Sequence, residues 1–450
     1  MRKTTLAWLF FGLIAATSIF QLFVHPQLGI ANNGDFSKVA GYYALAPTVG
    51  WGVDEVTSFL TDYSFSDANR WKSGLVSSEH AFVWIAVKLS RLFVSKTTFS
   101  IHALTLVHLS FFLACTAVLL QLLSRIHWLT LPLAFLVLTD ISLLAYLPSF
   151  YMDCGAMLFL LATSTALIAY RVTHKRGLAI AAVVIFGLLL ITSKTQHTLL
   201  GLPLAAFAVY EAYRSASRIR LVWALAAMLF LGATAWMLQT PTQGYRASAL
   251  FSMIFYKVGR SAKDPAADFR ELGLPATYLK YTGLHAYSPE APVEDPKWQV
   301  EFLRTTSWSR LASFYLHHPQ RAASFIWNDL NEFGPRHLDP GLGVRTKDQA
   351  SAGRGFFPWR DLRNFAMEFF PAHIFLLLIA GFFAPVPGRS ILMVITAMCA
   401  ISLALSTLAD CLETARHLYL FQVLADLLIS YWILLAISRS SSLRLASLFK

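Results

Sequence analysis

Charged residues are what this chain lacks first. Only 14% of its 450 residues are Asp, Glu, Lys or Arg, against about 25% in an ordinary soluble chain. That deficit, together with several long apolar runs, excludes a soluble globular protein and leaves a polytopic membrane protein. Cysteine is also sparse. The four residues Cys115, Cys154, Cys399 and Cys411 form no CxxC pair and no metal-ligand spacing. Cys115 and Cys399 lie inside apolar runs and read as packing residues. Cys154 and Cys411 fall near the same outer face, where a disulfide stays open as an alternative. No basic run is interleaved with aromatics, so the formal charge of +12 does not point to nucleic acid. Internal repeats and low-complexity tracts are missing too. The first residues, "MRKTTLAWLFFGLIAATSIFQLFV", end in no clean A-x-A site and read as an uncleaved anchor starting in the cytoplasm.

What is present is a series of apolar runs near the ~20 residues a spanning helix needs. They cover Thr5–Val24, Ser100–Leu123, Ile126–Leu147, Cys154–Tyr170, Leu221–Leu238, Pro371–Val386, Ile391–Leu408 and Leu418–Ile437. Two shorter runs, Gly177–Ile191 and Thr198–Tyr213, flank "TSKTQHT" and are either two spans or one re-entrant hairpin. The expectation is an all-α polytopic fold of about ten transmembrane helices. Residues 79–95 differ. His80, Trp84, Lys88, Arg91 and Ser95 share one helical stripe and apolar side chains cover the rest, the pattern of an interfacial amphipathic helix. Two basic residues in its middle make a crossing costly.

With that helix left out of the count, the cations sort to one side. Arg2, Lys3, Arg125, Arg171, Lys175, Arg176, Arg214, Arg218, Arg220, Arg389, Arg439, Arg444 and Lys450 all fall in alternate breaks, as the positive-inside rule requires. Three units follow. Residues 1–240 form an N-terminal transmembrane module with a first outer loop at 25–99. Residues 241–370 form a mostly helical extracytoplasmic segment, with turn signals such as "KDPAAD", "SPEAPVEDP" and "DPGLG" and one helix over "TSWSRLASFYLHHPQRAASFIWNDLNEF". Residues 371–450 are the C-terminal membrane helices.

Ionisable residues then collect at outer helix ends: Asp35 and Lys38; Asp153; Lys194, Gln196 and His197; Asp410, Glu413, Arg416 and His417. Carboxylates and cations facing one compartment suit a reaction that needs a base and an anion-stabilising group. Each has a structural alternative. "NNGD" is a turn sequence, and Asp35 and Asp153 are both competent helix caps. Lys194 could snorkel, and Glu413 and His417 could pair along a solvated helix start.

The stretches "NNGDFSK", "SFYMDCGAMLFLL", "TSKTQHTLL", "YRASALFSMIFYKVGRSAKDPAADFRELGLP" and "CLETARHLYLFQVLADLLI" resemble the GT-C superfamily of polytopic glycosyltransferases. Within it they look like the bacterial glycan-biosynthesis hexose transferases. Two positions depart from that group's pattern. Lys38 stands where arginine is usual, and Asp153 where glutamate is. The resemblance implies an inner-membrane enzyme with its site on the extracytoplasmic face. It would move a hexose from a polyprenyl-phosphate donor to a glycan or lipid-linked acceptor, with inversion. It implies Asp35 as general base and Asp153 as the group orienting acceptor or donor. Lys38, Lys194, Arg416 and His417 would hold the donor phosphate, and Gln196, His197, Glu413 and His80 would contact substrate. It leaves a metal open, since some members of the superfamily use a divalent ion and others do not; Asp35, Asp153 and Glu413 could offer carboxylates to Mg²⁺ or Mn²⁺. A lipid-linked sugar flippase and a lipid-linked glycan polymerase or ligase are the competing readings. A flippase would place its ionisable groups and broken helices near the bilayer midplane, where Asp140 and Asp426 are the main candidates.

Overall fold

Why the chain folds as it does is clearest in its third apolar run, where one acid breaks a helix that hydropathy alone would let pass. The computed structural model describes residues 3–24, 27–32, 34–48, 59–70, 74–173, 176–333, 355–368, 371–384, 386 and 388–440. The "DPGLG" turn lies outside them. Besides a single turn at Ser37–Ala40, the helices are α1 (Lys3–Phe23), α2 (His80–Phe93), α3 (Ile101–Ile126), α4 (Thr130–Leu138), α5 (Ile141–Leu144), α6 (Met152–Val172), α7 (Arg176–Ile191), α8 (Gly201–Arg214) and α9 (Ser217–Met237). They continue as α10 (Gln243–Phe251), α11 (Pro265–Glu271), α12 (Pro296–Thr305), α13 (Trp308–His317), α14 (Pro319–Phe333), α15 (Pro358–Glu368), α16 (Pro371–Phe383), α17 (Arg389–Leu408), α18 (Thr414–His417) and α19 (Tyr419–Ser440). Among the described residues, six are long and apolar enough to cross a membrane: α1, α3, α6, α9, α17 and α19.

The run Ile126–Leu147, expected as one span, is not one helix. It stops after Leu138, and Asp140 turns extended (φ −64°, ψ 127°) and caps α5 by accepting from Ser142 N–H at 2.9 Å. The break is held from both sides of the chain, the Thr139 carbonyl accepting from Gln21 Nε2 of α1 at 2.9 Å. Ile141 N–H donates to the Phe356 carbonyl at 3.0 Å, and Arg360 N–H donates to Asp140 Oδ2 at 2.7 Å. Irregular backbone inside a membrane bundle requires such partners. The helix expected over residues 306–333 is likewise two. Pro319 has no N–H to continue α13, so α14 starts there.

The interfacial helix forms as α2. Phe82, Val83, Ala86 and Val87 are buried, whereas Trp84, Leu92 and Phe93 stand exposed beside Lys88 and Arg91, the arrangement of a helix lying at a lipid surface. The first outer loop also holds a three-stranded antiparallel sheet, β1 (Leu45–Pro47), β2 (Asp62–Phe65) and β3 (Thr98–Ser100), with Ala46 opposite Ser64 and Tyr63 opposite Phe99. Three- and four-residue strands have too short a period-two pattern to be read from sequence.

Two hydrophobic cores result. The larger runs through the bundle, with α6 at its centre. The smaller lies within Ala247–Tyr315, around Phe251, Phe255, Phe302 and Phe314. It is pinned to the end of α17 by Lys257, whose Nζ donates to Asp329 Oδ2 and to the Thr407 carbonyl, both at 2.6 Å. At one end of the bundle Arg171 joins Glu211 and donates to Ser390 Oγ at 2.7 Å. The other end of α6 carries Asp153. A separation of 18 positions puts Asp153 and Arg171 roughly 27 Å apart.

Candidate functional site

Asp35 begins the site, and the turn before it decides what its side chain does. Asn32 Oδ1 accepts from Gly34 N–H at 2.8 Å and from Phe36 N–H at 2.9 Å. Gly34 takes φ +101°, which suits a residue without Cβ. Asn32 therefore does the capping that Asp35 could have done. The Asp35 carboxylate turns instead to Lys38, one helical turn on, and to Arg416, whose Nη1 is 2.7 Å from Oδ2. Asp153 is likewise not a cap: the cap position of α6 is Tyr151. Its carboxylate is almost wholly buried, with Lys194 Nζ 3.0 Å from both oxygens, His197 Nε2 at 3.4 Å and Arg416 Nη1 at 3.8 Å. Lys194 is 6% exposed and aims inward, which is not how a snorkelling lysine behaves.

Arg416 ties these groups together. It sits on the single turn α18, entered through Glu413 in the left-handed region (φ 59°). A β-carbon makes that conformation costly, and such strain clusters at functional positions. Its Nη2 reaches Glu413 Oε2 at 2.5 Å and His417 Nε2 at 3.0 Å, and its guanidinium lies over the Tyr151 ring at 4.8 Å. His417 in turn pairs with Asp410. A cavity of about 430 Å³ opens onto this network, bordered by Asp35, Lys38, Lys194, Tyr245, His285 and Glu413.

Charge balance sets the protonation states. Burial alone would raise the Asp35 carboxyl, but Arg416 and then Lys38 override it and hold it well below the usual carboxylate range. Burial also works against ionisation of Asp410, and His417 reverses that, leaving it low. Burial pushes the Tyr245 hydroxyl up, with Asp410 and Asp35 adding to the effect. The acids of the network are Asp35, Asp153, Asp410 and Glu413; the fixed cations are Lys38, Lys194 and Arg416, with His197 and His417 beside them. Each of these cations is already paired with a carboxylate, so an incoming anion competes with an acid for it.

The structure thus brings Asp35, Lys38, Asp153, Lys194, His197, Glu413, Arg416 and His417 into one network. It leaves two of the residues singled out above outside it. His80 packs its ring against Tyr42 at 4.6 Å, and Gln196 donates to Ser406 Oγ at 3.2 Å. Tyr151, Tyr245 and Asp410 join in with no role assigned from sequence; Asp410 was visible as an outer-face acid, but the tyrosines gave no charge signal. Cys154 and Cys411 are free thiols. Among the described residues no group of three or more His, Cys, Asp or Glu is placed to hold a metal ion. Arg416 Nη1 lies between the two carboxylates, 2.7 Å from Asp35 Oδ2 and 3.8 Å from Asp153 Oδ2.

The family model of the YfdI N-terminal transmembrane domain matches residues 1–330. The chain belongs to that family. No curated protein and no solved structure matches it. The family's membrane domain contains the whole first outer loop, Asp153, Lys194 and the smaller core; Arg416, the residue joining Asp35 to Asp153, lies beyond the matched span.

Proposed function

We propose that this multi-pass membrane protein is a GT-C type, inverting hexosyltransferase. Its donor is a polyprenyl-phosphate sugar and its acceptor an extracytoplasmic glycan or cell-surface lipid-linked glycan, with the site on the outer face of a bacterial inner membrane. The observation that carries the reading is the Arg416 junction: one buried guanidinium shared by Asp35 and Asp153 at the edge of a cavity, with Lys38 and Lys194 on either side.

In this reading the acceptor hydroxyl oxygen forms a bond to the anomeric carbon, and the bond from that carbon to the phosphate oxygen breaks. The electron pair leaves with the lipid phosphate, where Arg416, Lys38 and Lys194 meet the charge. The hydroxyl proton passes to Asp35. Ion pairing makes Asp35 a weak base in the empty site. A donor phosphate that recruits Arg416 and Lys38 removes the charges holding the carboxyl down and so raises its basicity where the acceptor lies. Asp153, held by Lys194 and His197, orients the sugars.

The test is transfer by purified protein from a panel of synthetic polyprenyl-phosphate sugars, read as release of polyprenyl phosphate. Sugar-dependent release supports the reading. Passage of the intact lipid-linked sugar across liposomes without release overturns it in favour of a flippase. That alternative has its own observation: the helix break at Asp140 and the buried Arg363–Asp426 pair at 3.0 Å are features expected where a transporter handles substrate inside the bilayer.

A further inference from the structure

A tripeptide distant in sequence from every charged group of the network touches both helix ends that carry its inner ion pair. Ser77 Oγ donates to the Ser193 carbonyl at 2.5 Å. Ser78 donates twice to the end of α7, from N–H to the Thr192 carbonyl at 2.9 Å and from Oγ to the Leu189 carbonyl at 2.7 Å. These carbonyls lie one, two and five residues before Lys194. Glu79, whose N–H is held by Ser77 Oγ at 3.1 Å, turns the other way. Its carboxylate is fully buried, 2.9 Å from His108 Nε2, and His108 Nδ1 donates to the Leu147 carbonyl at 2.7 Å, in the loop leading to Asp153. Glu79 also presses on Gly155, two residues after Asp153; a β-carbon there would collide with the Glu79 carboxylate.

We propose that Ser77, Ser78 and Glu79 form a positioning bracket that sets the spacing of Lys194 and Asp153, with His108 as its far anchor. The inference rests on the reading of those two residues as part of the site. It explains an otherwise costly arrangement. A buried carboxylate and a buried imidazole must both be desolvated, yet neither borders the cavity. They lie one layer behind Asp153, where a fixed hydrogen-bonded pair restrains the first turn of α6. Lys194 stands on extended backbone after α7 and Asp153 in the first turn of α6, and a misplacement of about 1 Å in such a site costs on the order of 10²-fold in rate.

Two independent readouts test this. In transfer assays, Glu79→Ala is expected to lower kcat at least about 30-fold with donor KM within about threefold. Glu79→Gln keeps the shape and a hydrogen bond to His108, and is expected to retain at least about a third of kcat. In an Asp153→Asn background Glu79→Ala adds less than about a twofold loss, because both changes act on one element. A Gln variant as impaired as Ala, or losses that multiply in the double variant, overturns the proposal. The second readout needs no activity. Cys154 and Cys399 are both fully buried, and Cys154 Sγ lies 3.5 Å from His108 Nδ1. In nanodiscs, Glu79→Ala is expected to raise maleimide labelling of Cys154 at least about tenfold and leave Cys399 unchanged. No change at Cys154, or an equal rise at both thiols, overturns the bracket. If the unaltered protein transfers no sugar, the proposed reaction fails and the labelling still decides the bracket.

Discussion

Two buried arginines, Arg416 and Arg363, solve the same electrostatic problem in opposite ways. Arg363 on α15 has Asp426 of α19 as its ion-pair partner at 3.0 Å, and its side chain is wholly closed off from solvent. Arg416 meets Asp35, Glu413 and, further off, Asp153, and the residues around it border a cavity. A sealed pair joins helices. A cation shared among several acids beside open space can change partners. The difference teaches that burial of a charge does not mark a site; a choice of partners and access to space do.

The largest effect expected from this contrast concerns the acids that the two arginines hold. Asp35→Asn keeps the shape of the Arg416 junction and removes the base, so transfer should fall about 10³- to 10⁴-fold with folding intact. Asp426→Asn should leave kcat within about threefold in protein that folds. Near-normal transfer by Asp35→Asn, measured beside an unchanged thermal midpoint, would remove Arg416 from its privileged place.

Stability should rank the pair the other way. Asp426→Leu strands the Arg363 guanidinium, whose Nη1 and Nη2 have no hydrogen-bond partner among the described residues. Leaving such a charge buried costs about 3–5 kcal/mol. Adding Arg363→Leu should recover most of that loss, since an apolar pair of similar volume packs as well as the ion pair. Unfolding of the single and double variants in detergent measures both steps. Equal instability of the two would mean the pair does more than join α15 to α19.

The pH dependence follows from Asp35. Its folded pKa is depressed, so the stability its pairing contributes is present above the ordinary aspartate value of about 3.9 and is lost as pH falls below it. Between pH 5 and 8 Asp35 contributes no change in stability. In the free protein its protonation should limit kcat/KM only below about pH 4. If donor phosphate takes Arg416 and Lys38, the carboxyl rises, and the acid limb of kcat should lie at higher pH than that of kcat/KM. Coincident limbs would show that Arg416 does not change partners.

Much of this was legible from sequence because bilayers impose simple rules. Charge scarcity, the basic breaks and the two basic residues in α2 follow from the cost of charge in hydrocarbon, and they placed Asp35, Asp153, Lys194 and Arg416 at one end of the bundle. Their convergence was not legible. Asp35 and Arg416 are separated by most of the chain, and nothing local signals that pair. The break at Asp140 escaped for a related reason: its cause lies partly in the Phe356 and Arg360 backbone. Gln196 and His80 carried the right chemistry on the right face, but the extended step at Lys194 and the Tyr42 contact turn them away. Side-chain direction in irregular segments depends on neighbours that a single sequence does not identify.

The smallest expected effect isolates geometry from charge at the Arg416 junction. Lys38 pairs with Asp35 from the next helical turn and has about a fifth of its side chain exposed at the cavity. As a point charge it neutralises phosphate without fixing its orientation, whereas a guanidinium binds two oxygens at once. Lys38→Arg therefore keeps the charge and should lower donor KM by about two- to threefold, with kcat nearly unchanged. A matching substitution on the sealed side, Arg363→Lys, shortens the reach to Asp426 and should move stability rather than KM. If Lys38→Arg instead lowers kcat and leaves KM alone, Lys38 acts on Asp35 and not on the donor. Arg416 and Lys194 would then be left to hold the phosphate.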